Sequence, residues 1–369
     1  MKPSVLPNMT LDEAKEKQFQ LVTAIAAEFR GKEFLSSGDL GVVPGLGRPE
    51  QTAKVERVLA RFFGTEDCAL VRGAGTGAIR SLLSVLVEPG DSVLIHTSPV
   101  YTTTKETFRM MGLSLISADY HVENELTEIL KQNRDIRVFY IQHSRQQPED
   151  AYDLESILRL VRRHRPDLPI VVDDNYTTLK VPKIGVELGA SFSCFSGFKL
   201  QGPPGIGIVV GKKEAIDTLR KRNYSGGGQV QGFEAMDLLR SLVTAPVTIA
   251  VQTEQVDRLC QGLNNGEVPL VSKAYITNSQ SKNVILELAE PIAPQVIAAS
   301  EKYGAAVYPV GAESRYEVLP MIYRLSGTFL ESRPELAHTG LRINPMRSGA
   351  ELTMDILRKA ITDVTKEQA

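Results

Sequence analysis

Cysteine and histidine are scarce in this chain of 369 residues: three cysteines (Cys68, Cys194, Cys260) and five histidines (His96, His121, His143, His164, His338), all scattered. Thiols so far apart give neither a disulfide framework nor a zinc pattern, and no H-x-x-x-H pair supports a histidine-based metal site. An excess of one charge is also missing, with 42 basic against 44 acidic residues and a formal net charge of −2. A general nucleic-acid binder needs a basic field to neutralise phosphates, so that class is set aside. The N-terminal MKPSVLPNMTLDEAKEKQ lacks an apolar signal core, and no segment reaches the ~18 uninterrupted apolar residues of a membrane span. With 29 glycines and 20 prolines the composition is far from disordered or collagen-like. What is left is an ordinary soluble protein, expected in the cytoplasm. At ~150 residues per domain its length suggests two or three units with a sizeable core.

The residues that are present fall into a rhythm. Up to residue 30 the chain reads as one amphipathic helix: Thr10 and Glu13 have capping-box spacing, and Leu11, Ala14, Leu21, Val22, Ile25 and Phe29 follow a helical stripe. An irregular stretch follows, SSGDLGVVPGLGRPEQT at 36–52, and a loop that long is often functional or lies at an interface. Short apolar runs then alternate with helical stretches: CALVR (68–72), SVLIH (92–96), LSLIS (113–117), RVFYI (137–141), PIVVD (169–173), SFSCF (191–195) and IGIVV (206–210). In DLESILRLVRRHRP (153–166), Leu154, Ile157, Leu158 and Val161 form one face, Asp153 caps the start and Pro166 marks the stop. Its arginines (Arg159, Arg162, Arg163, Arg165) read as a solvated face rather than an RNA site.

Such alternation implies βαβ crossovers, a mainly parallel seven-stranded sheet with helices on both faces, and ligands at the carboxyl ends of the strands. After residue 245 the pattern changes to a helix near 246–262, then SKNVILELA (281–289), AAVYPV (305–310), YEVLPMIYRLS (316–326), GLRIN (340–344) and a helix at 350–366. This reads as a smaller α+β C-terminal domain. The expected division is therefore 1–50 (helix and loop), 51–245 (large domain) and 246–369 (small domain).

Four strand ends carry chemistry. RGAGTGAI (72–79) is a glycine-rich turn opening a helix, which serves either as an anion cradle or simply as a turn needing positive φ. HTSPVYTTT (96–104) places Tyr101 where an aromatic can stack on a planar ligand or lie as an ordinary amphipathic side chain. VVDDNY (171–176) ends on Asp173; with Asp174 it makes a carboxylate pair without an obvious third metal ligand, so a single acid aimed at a basic ring nitrogen fits better. FSGFKLQGPPG (195–205) sets Lys199 between a buried strand and a turn, as a surface lysine or as an amine desolvated for Schiff-base formation, with Ser196 placed to reach a phosphate. Anion cradle, stacking face, acid and imine-forming lysine, in that order, are what pyridoxal phosphate requires.

The chain thus resembles the fold-type I pyridoxal-phosphate enzymes of the aspartate-aminotransferase-like superfamily. The resemblance implies a homodimer with shared active sites, an amino-acid-like substrate and a set of roles. Gly75 and Thr76 match the phosphate turn, Tyr101 the stacking aromatic, Asp173 the partner of the ring nitrogen, and Tyr176 the tyrosine serving the cofactor hydroxyl. Ser196 and Lys199 match the S-x-x-K motif, and Arg342 in GLRIN the arginine that grips the substrate carboxylate. Gln142 and Ser144, in QHSR, compete for the place facing the cofactor hydroxyl. GLGRPEQTAKVE is similar to a segment of the cysteine/methionine-metabolism lyases whose arginine, here Arg48, grips the neighbouring subunit's phosphate. NYSGGGQVQGFEAM (223–236) is similar to the glycine-rich loop of threonine aldolases. The pattern departs from the lyases at Leu46, where they carry tyrosine, and from many aminotransferases at Gly207, where they carry a phosphate-binding arginine. The leading expectation is an aminotransferase. The alternatives are a β- or γ-eliminating lyase, an aldolase- or selenocysteine-synthase-like activity, and a cofactor-binding regulator without turnover.

Overall fold

The apolar runs do form one sheet. Helices α1 (Leu11–Glu28) and α2 (Glu50–Phe62) precede strands β1 (Asp67–Arg72), β2 (Ser92–His96), β3 (Ser114–Ala118), β4 (Ile136–Gln142), β5 (Ile170–Asp173), β6 (Phe192–Ser196) and β7 (Ile206–Gly211). The strand order is β1-β7-β6-β5-β4-β2-β3, with β7 antiparallel to both neighbours and the remaining pairs parallel. Helices α3 (Ala74–Leu86), α4 (Thr102–Met110), α5 (Glu123–Gln132) and α6 (Leu154–His164) connect β1 to β2, β2 to β3, β3 to β4 and β4 to β5. Between β6 and β7 there is only the short connection 197–205 with a single 3-10 turn, too short for a crossover, so the chain returns antiparallel. The computed structural model describes residues 5–145, 150–279, 281–308 and 313–368.

Side-chain alternation builds a core on each face of the sheet. In β4, Val138 and Tyr140 join the cluster under α3 and α4, while Phe139 and Ile141 join the one under α5 and α6. Val171 and Val172 of β5 divide in the same way. The Asp153 carboxylate caps α6 by accepting from Ser156 N at 3.3 Å. Two of its arginines are not simply solvated. Arg162 donates to the carbonyls of Pro166 (3.0 Å) and Leu168 (2.8 Å) and to Ser191 Oγ (2.7 Å), and Arg165 to those of Asn133 (3.0 Å) and Ile136 (3.1 Å). Carbonyls at strand starts and loops need donors, and long guanidinium arms at the end of α6 supply them. His96 and His121, distant in sequence, bring their rings to 5.3 Å between centroids in an aromatic cluster with Tyr120 and Tyr152.

The chain divides into two units, one made of Asp12–Ser144 with Tyr152–Pro246, the other of the described residues within 2–11, 145–151 and 247–369. The N-terminal helix α1 thus belongs to the unit with the large sheet rather than standing apart. Helix α7 (Lys213–Arg222) follows β7, and α8 (Gly232–Asn264) runs through Pro246 rather than starting there. A proline inside a helix loses one backbone bond; Leu242 and Ile249 on either side remain buried, which outweighs that loss.

The second unit contains β8 (Val271–Thr277), β9 (Asn283–Leu288), α9 (Ala293–Glu301), β10 (Met321–Tyr323), α10 (Gly327–Ser332), β11 (Gly340–Asn344) and α11 (Gly349–Gln368). Its sheet, β10-β11-β9-β8, is antiparallel. β8 escaped the sequence reading because it is an edge strand with few buried positions. AAVYPV gives no strand over 305–308, only an isolated bridge from Ala306 to Met321, and its residues 309–310 lie outside the described residues.

Gly207 lies on β7 between Val71 and Ser196, and a Cβ there would sit 2.2 Å from the Ala74 carbonyl oxygen. The start of α3 occupies the space an arginine at this position would need. Gly207→Ala is expected to destabilise the fold by about 1–3 kcal/mol, read as a lower urea midpoint, and Gly207→Arg to give no folded protein. An unchanged midpoint for the alanine variant would mean that α3 does not rest on β7.

Candidate active site

The carboxyl ends of β1, β4, β5 and β6 lie along one edge of the large sheet, with Gly75, Thr76, Gln142, Ser144, Asp173, Tyr176, Ser196 and Lys199 at or just beyond them, whereas Arg48 does not follow a strand end. After β1 the chain turns at Gly73 (φ +95°) and Ala74 (φ +55°), whose N–H groups both donate to the Gly205 carbonyl, at 2.8 and 3.1 Å. The N–H groups of Gly75 and Thr76, in the first turn of α3, find no acceptor among the described residues. Donors with no protein partner at a helix N-terminus are what an anion needs. Gly75 is required by proximity: a Cβ would lie 2.3 Å from Asn175 Oδ1, an atom that is itself buried and without a hydrogen-bond partner. The Thr76 hydroxyl meets that of Thr103, in the first turn of α4, at 2.8 Å.

Asp173, at the end of β5, is only 5% exposed. Burial pushes its carboxyl above the ordinary value, opposed by hydrogen bonds from Asn175 and Tyr140 and by the charge of Lys199. One oxygen accepts from Asn175 N (3.0 Å) and Nδ2 (2.7 Å), the other from the Tyr140 hydroxyl (3.0 Å). The neighbouring Asp174 is no metal ligand in the making. It is fully buried, pairs with His143 Nδ1 at 2.7 Å and accepts from Gly185 N at 3.0 Å. Tyr140, Asn175 and His143 were not singled out from the sequence. Asn175 had a signal, since an amide two residues after a carboxylate is Asx-turn spacing; Tyr140 reads in the chain as one more apolar strand residue.

Lys199 is half-buried in a short 3-10 turn (Phe198–Leu200), its Nζ 3.6 Å from the centroid of the Tyr176 ring. Ser196 is 4% exposed, and its hydroxyl bonds to no described residue. Gln142 turns to Tyr101, whose backbone N–H it accepts at 3.2 Å, so it fixes the start of α4 while the Tyr101 side chain stays 42% exposed. Ser144 is half-buried just beyond His143. Arg48 points into its own chain, with Nε 2.6 Å from Glu56, a buried carboxylate also held by Arg220 at 3.1 Å. Arg342 lies on β11 in the other unit, over Tyr323; with the Asn283 amide oriented to donate to Thr277 Oγ1, the Asn283 oxygen accepts from Arg342 at 2.7 and 3.1 Å.

The two glycine-bearing segments at 36–49 and 223–231 are one feature. Gln229 Nε2 donates to the Gly47 carbonyl (2.6 Å), Gln231 Oε1 accepts from Gly41 N (2.8 Å), and Asp39 caps α2 through the N–H groups of Glu50 and Gln51 (2.6 and 3.1 Å). Together they line a cavity of about 530 Å³ with Arg48, Glu56 and Arg220.

The donor set fits pyridoxal phosphate: N–H groups and hydroxyls for the phosphate, a buried acid for the ring nitrogen, and a lysine beside it for the aldehyde. Comparison with known proteins agrees. The family profile "Cys/Met metabolism PLP-dependent enzyme" matches residues 46–287, and "YhfS-like, C-terminal domain" matches 257–357. The YhfS protein of Escherichia coli (strain K12) is 47% identical over 364 residues, 99% of this chain and 100% of that protein. The crystal structure described as the pyridoxal-5'-phosphate-dependent protein YhfS superposes with a TM-score of 0.94, covering 98% of this chain and 100% of that one. L-methionine gamma-lyase of Pseudomonas putida is 28% identical over 198 residues, 52% of this chain and 48% of that protein. Cystathionine gamma synthase from Xanthomonas oryzae pv. oryzae shares the fold at 17% identity, with a TM-score of 0.71 over 94% of this chain and 98% of that one.

A carboxyl that holds protons more tightly when folded stabilises the fold at low pH and loses that contribution as pH rises through its folded value. Without cofactor, Asp173→Asn should therefore melt at or above the parent at neutral pH, with the gap closing toward about pH 4. Cofactor affinity should fall in the same variant. A variant markedly less stable than the parent at neutral pH would reverse the assignment.

Proposed function

Since the chain belongs to the Cys/Met-metabolism family of pyridoxal-phosphate-dependent enzymes, we propose that it eliminates or replaces the β- or γ-substituent of an amino acid. The observation that carries this reading is the family match over residues 46–287, a span that includes Arg48, Asp173, Ser196 and Lys199. The expectation of transamination draws no support from the relatives, which include lyases, synthases and an L-seryl-tRNA(Sec) selenium transferase. Leu46, in place of the lyase tyrosine, is then a local difference within the family.

When bound, the cofactor supplies an electron sink for a carbanion at the substrate Cα. In the proposal the N–H groups of Gly75 and Thr76 and the Thr76 and Ser196 hydroxyls hold its phosphate. Tyr101 would cover the ring, and Asp173, which accepts from Asn175 and Tyr140, would hold a proton on the ring nitrogen. Lys199 would hold the cofactor aldehyde, and its amine would take the substrate Cα proton and return one to the leaving group or product. Arg342 is assigned the substrate carboxylate. Gln142 accepts the Tyr101 N–H at the start of α4, and Ser144 is assigned the place facing the cofactor hydroxyl. A homodimer with shared sites remains part of this reading, but Arg48 would meet a neighbour's phosphate only by leaving Glu56, so within its own chain it braces α2. Among the described residues no helix is long and apolar enough to cross a membrane.

The purified protein with pyridoxal phosphate should show a visible absorption band that Lys199→Ala lacks. Incubated with a panel of amino acids bearing β- or γ-sulfur or oxygen substituents, it should release ammonia and a keto acid in equal amounts over many turnovers. Keto acid without ammonia, with the amino group retained on the cofactor, would instead establish transamination. Replacing Arg342 by Ala should raise KM for the amino-acid substrate by about tenfold or more, as expected for loss of a charge-assisted pair.

A further inference from the structure

Tyr176 is held in a conformation that its residue type resists. Its φ of +70° and that of Leu179, +60°, lie in the left-handed region, where bulky side chains are rare and persist only if the surroundings over-determine them. Asp174 does the determining. Its carbonyl accepts from Thr177 N (3.1 Å), Thr178 N (3.2 Å) and the hydroxyls of Thr177 (2.9 Å) and Thr178 (3.1 Å). Its carboxylate takes a further bond from Thr177 Oγ1 at 2.9 Å besides those from His143 and Gly185. The turn so pinned presents the face of the Tyr176 ring to Lys199, with Nζ 3.6 Å from the centroid. The Tyr176 hydroxyl bonds to no described residue, so the contact the fold enforces is made by the ring.

We propose that Tyr176 is a positioning residue for Lys199: its ring face, locked by the Asp174 turn, binds the lysine ammonium through a cation–π contact. This keeps Nζ against the ring, close enough for its charge to act on Asp173, whenever the lysine is not covalently engaged. The inference rests on Lys199 being the cofactor lysine. It gives Tyr176 a role through its ring, toward Lys199, where the D-x-x-Y resemblance implies one for its hydroxyl, toward the cofactor hydroxyl. The groups facing Lys199 are the Tyr176 ring from the turn after β5 and the Asp173 carboxylate at the end of β5, with the Tyr140 phenol of β4 bound to Asp173 from behind. His143 faces Asp174 instead.

The test is the pH profile of pyridoxal phosphate uptake by the full-length apoprotein, followed by visible absorbance, with Lys199→Ala as the blank. A cation–π contact favours the protonated amine, so its loss should lower the lysine's midpoint. Tyr176→Leu is expected to give, below the midpoint, about a threefold larger neutral fraction, while Tyr176→Phe, which keeps the ring, retains the parent midpoint. Tyr176→Gly should follow Leu in the profile yet melt higher than Leu, because glycine accepts positive φ without strain; this arm reports even if the Leu variant folds poorly. A Phe variant that shifts as much as Leu, or that moves the absorption maximum, would overturn the proposal in favour of the hydroxyl. Leu and Gly profiles that match the parent would also overturn it. If Lys199→Ala itself takes up cofactor with a visible band, the lysine assignment fails and the proposal with it; failure of the tyrosine arms alone leaves that assignment standing.

Discussion

Two adjacent carboxylates at the end of β5, both buried, are the constraint around which the large unit is arranged. A buried carboxylate without donors is costly, so each must recruit them from elements that would not otherwise meet. Asp173 draws the Tyr140 phenol from β4 and the Asn175 amide from its own turn. Asp174 draws His143, which follows β4, and the backbone N–H of Gly185. The ends of neighbouring parallel strands are thereby tied by polar side chains as well as by the β-ladder. Asn175 also reaches the first turn of α3, where only a glycine leaves it room. The acid and the anion cradle are in this way parts of one packing arrangement, and a change in either is transmitted to the other.

A second buried charge cluster does comparable work on the far side of β1. Glu56 of α2 is 2% exposed and is held by Arg48, Arg220 and the N–H of Leu70. Burial raises its carboxyl, and the two guanidinium groups oppose that rise. Arg220 also holds Asp67 at 2.5 Å, so α2, β1, α7 and the loop carrying Arg48 share a single network. The loop is stitched to the segment before α8 by Gln229 and Gln231. The arginine that the resemblance sets against a neighbouring subunit's phosphate is, within its own chain, paired with Glu56.

The strands of the large sheet were legible because buried parallel strands are short, continuous apolar runs and the helices between them have a different period. Reading β6 and β7 as separated by only a glycine-proline turn was enough to place Lys199 and Ser196 at a strand end. Elements with weak apolar contrast were not legible: β8 is a polar edge strand, and α8 passes through a proline that reads locally as a boundary. The arginines of α6 were misread for a related reason. Periodicity says which face of a helix is apolar, but nothing about carbonyls on other segments that a long polar side chain can reach.

What the linear order of residues determined was an inventory: an anion turn before a helix, an aromatic, an acid, and a serine and lysine in order at successive strand ends. Those follow from local rules, since strand ends and helix starts are set by neighbours in the chain. Only the tertiary structure decided which groups support them. Tyr140 lies 33 residues from Asp173, and Asp174 lies 31 residues from His143; such pairs form because parallel strands bring distant carboxyl ends side by side. The same holds for Tyr176, whose ring rather than its hydroxyl meets Lys199. That choice is made by a positive φ that a buried aspartate imposes, and the desolvation that makes the aspartate demand so many donors exists only once the sheet has closed over it.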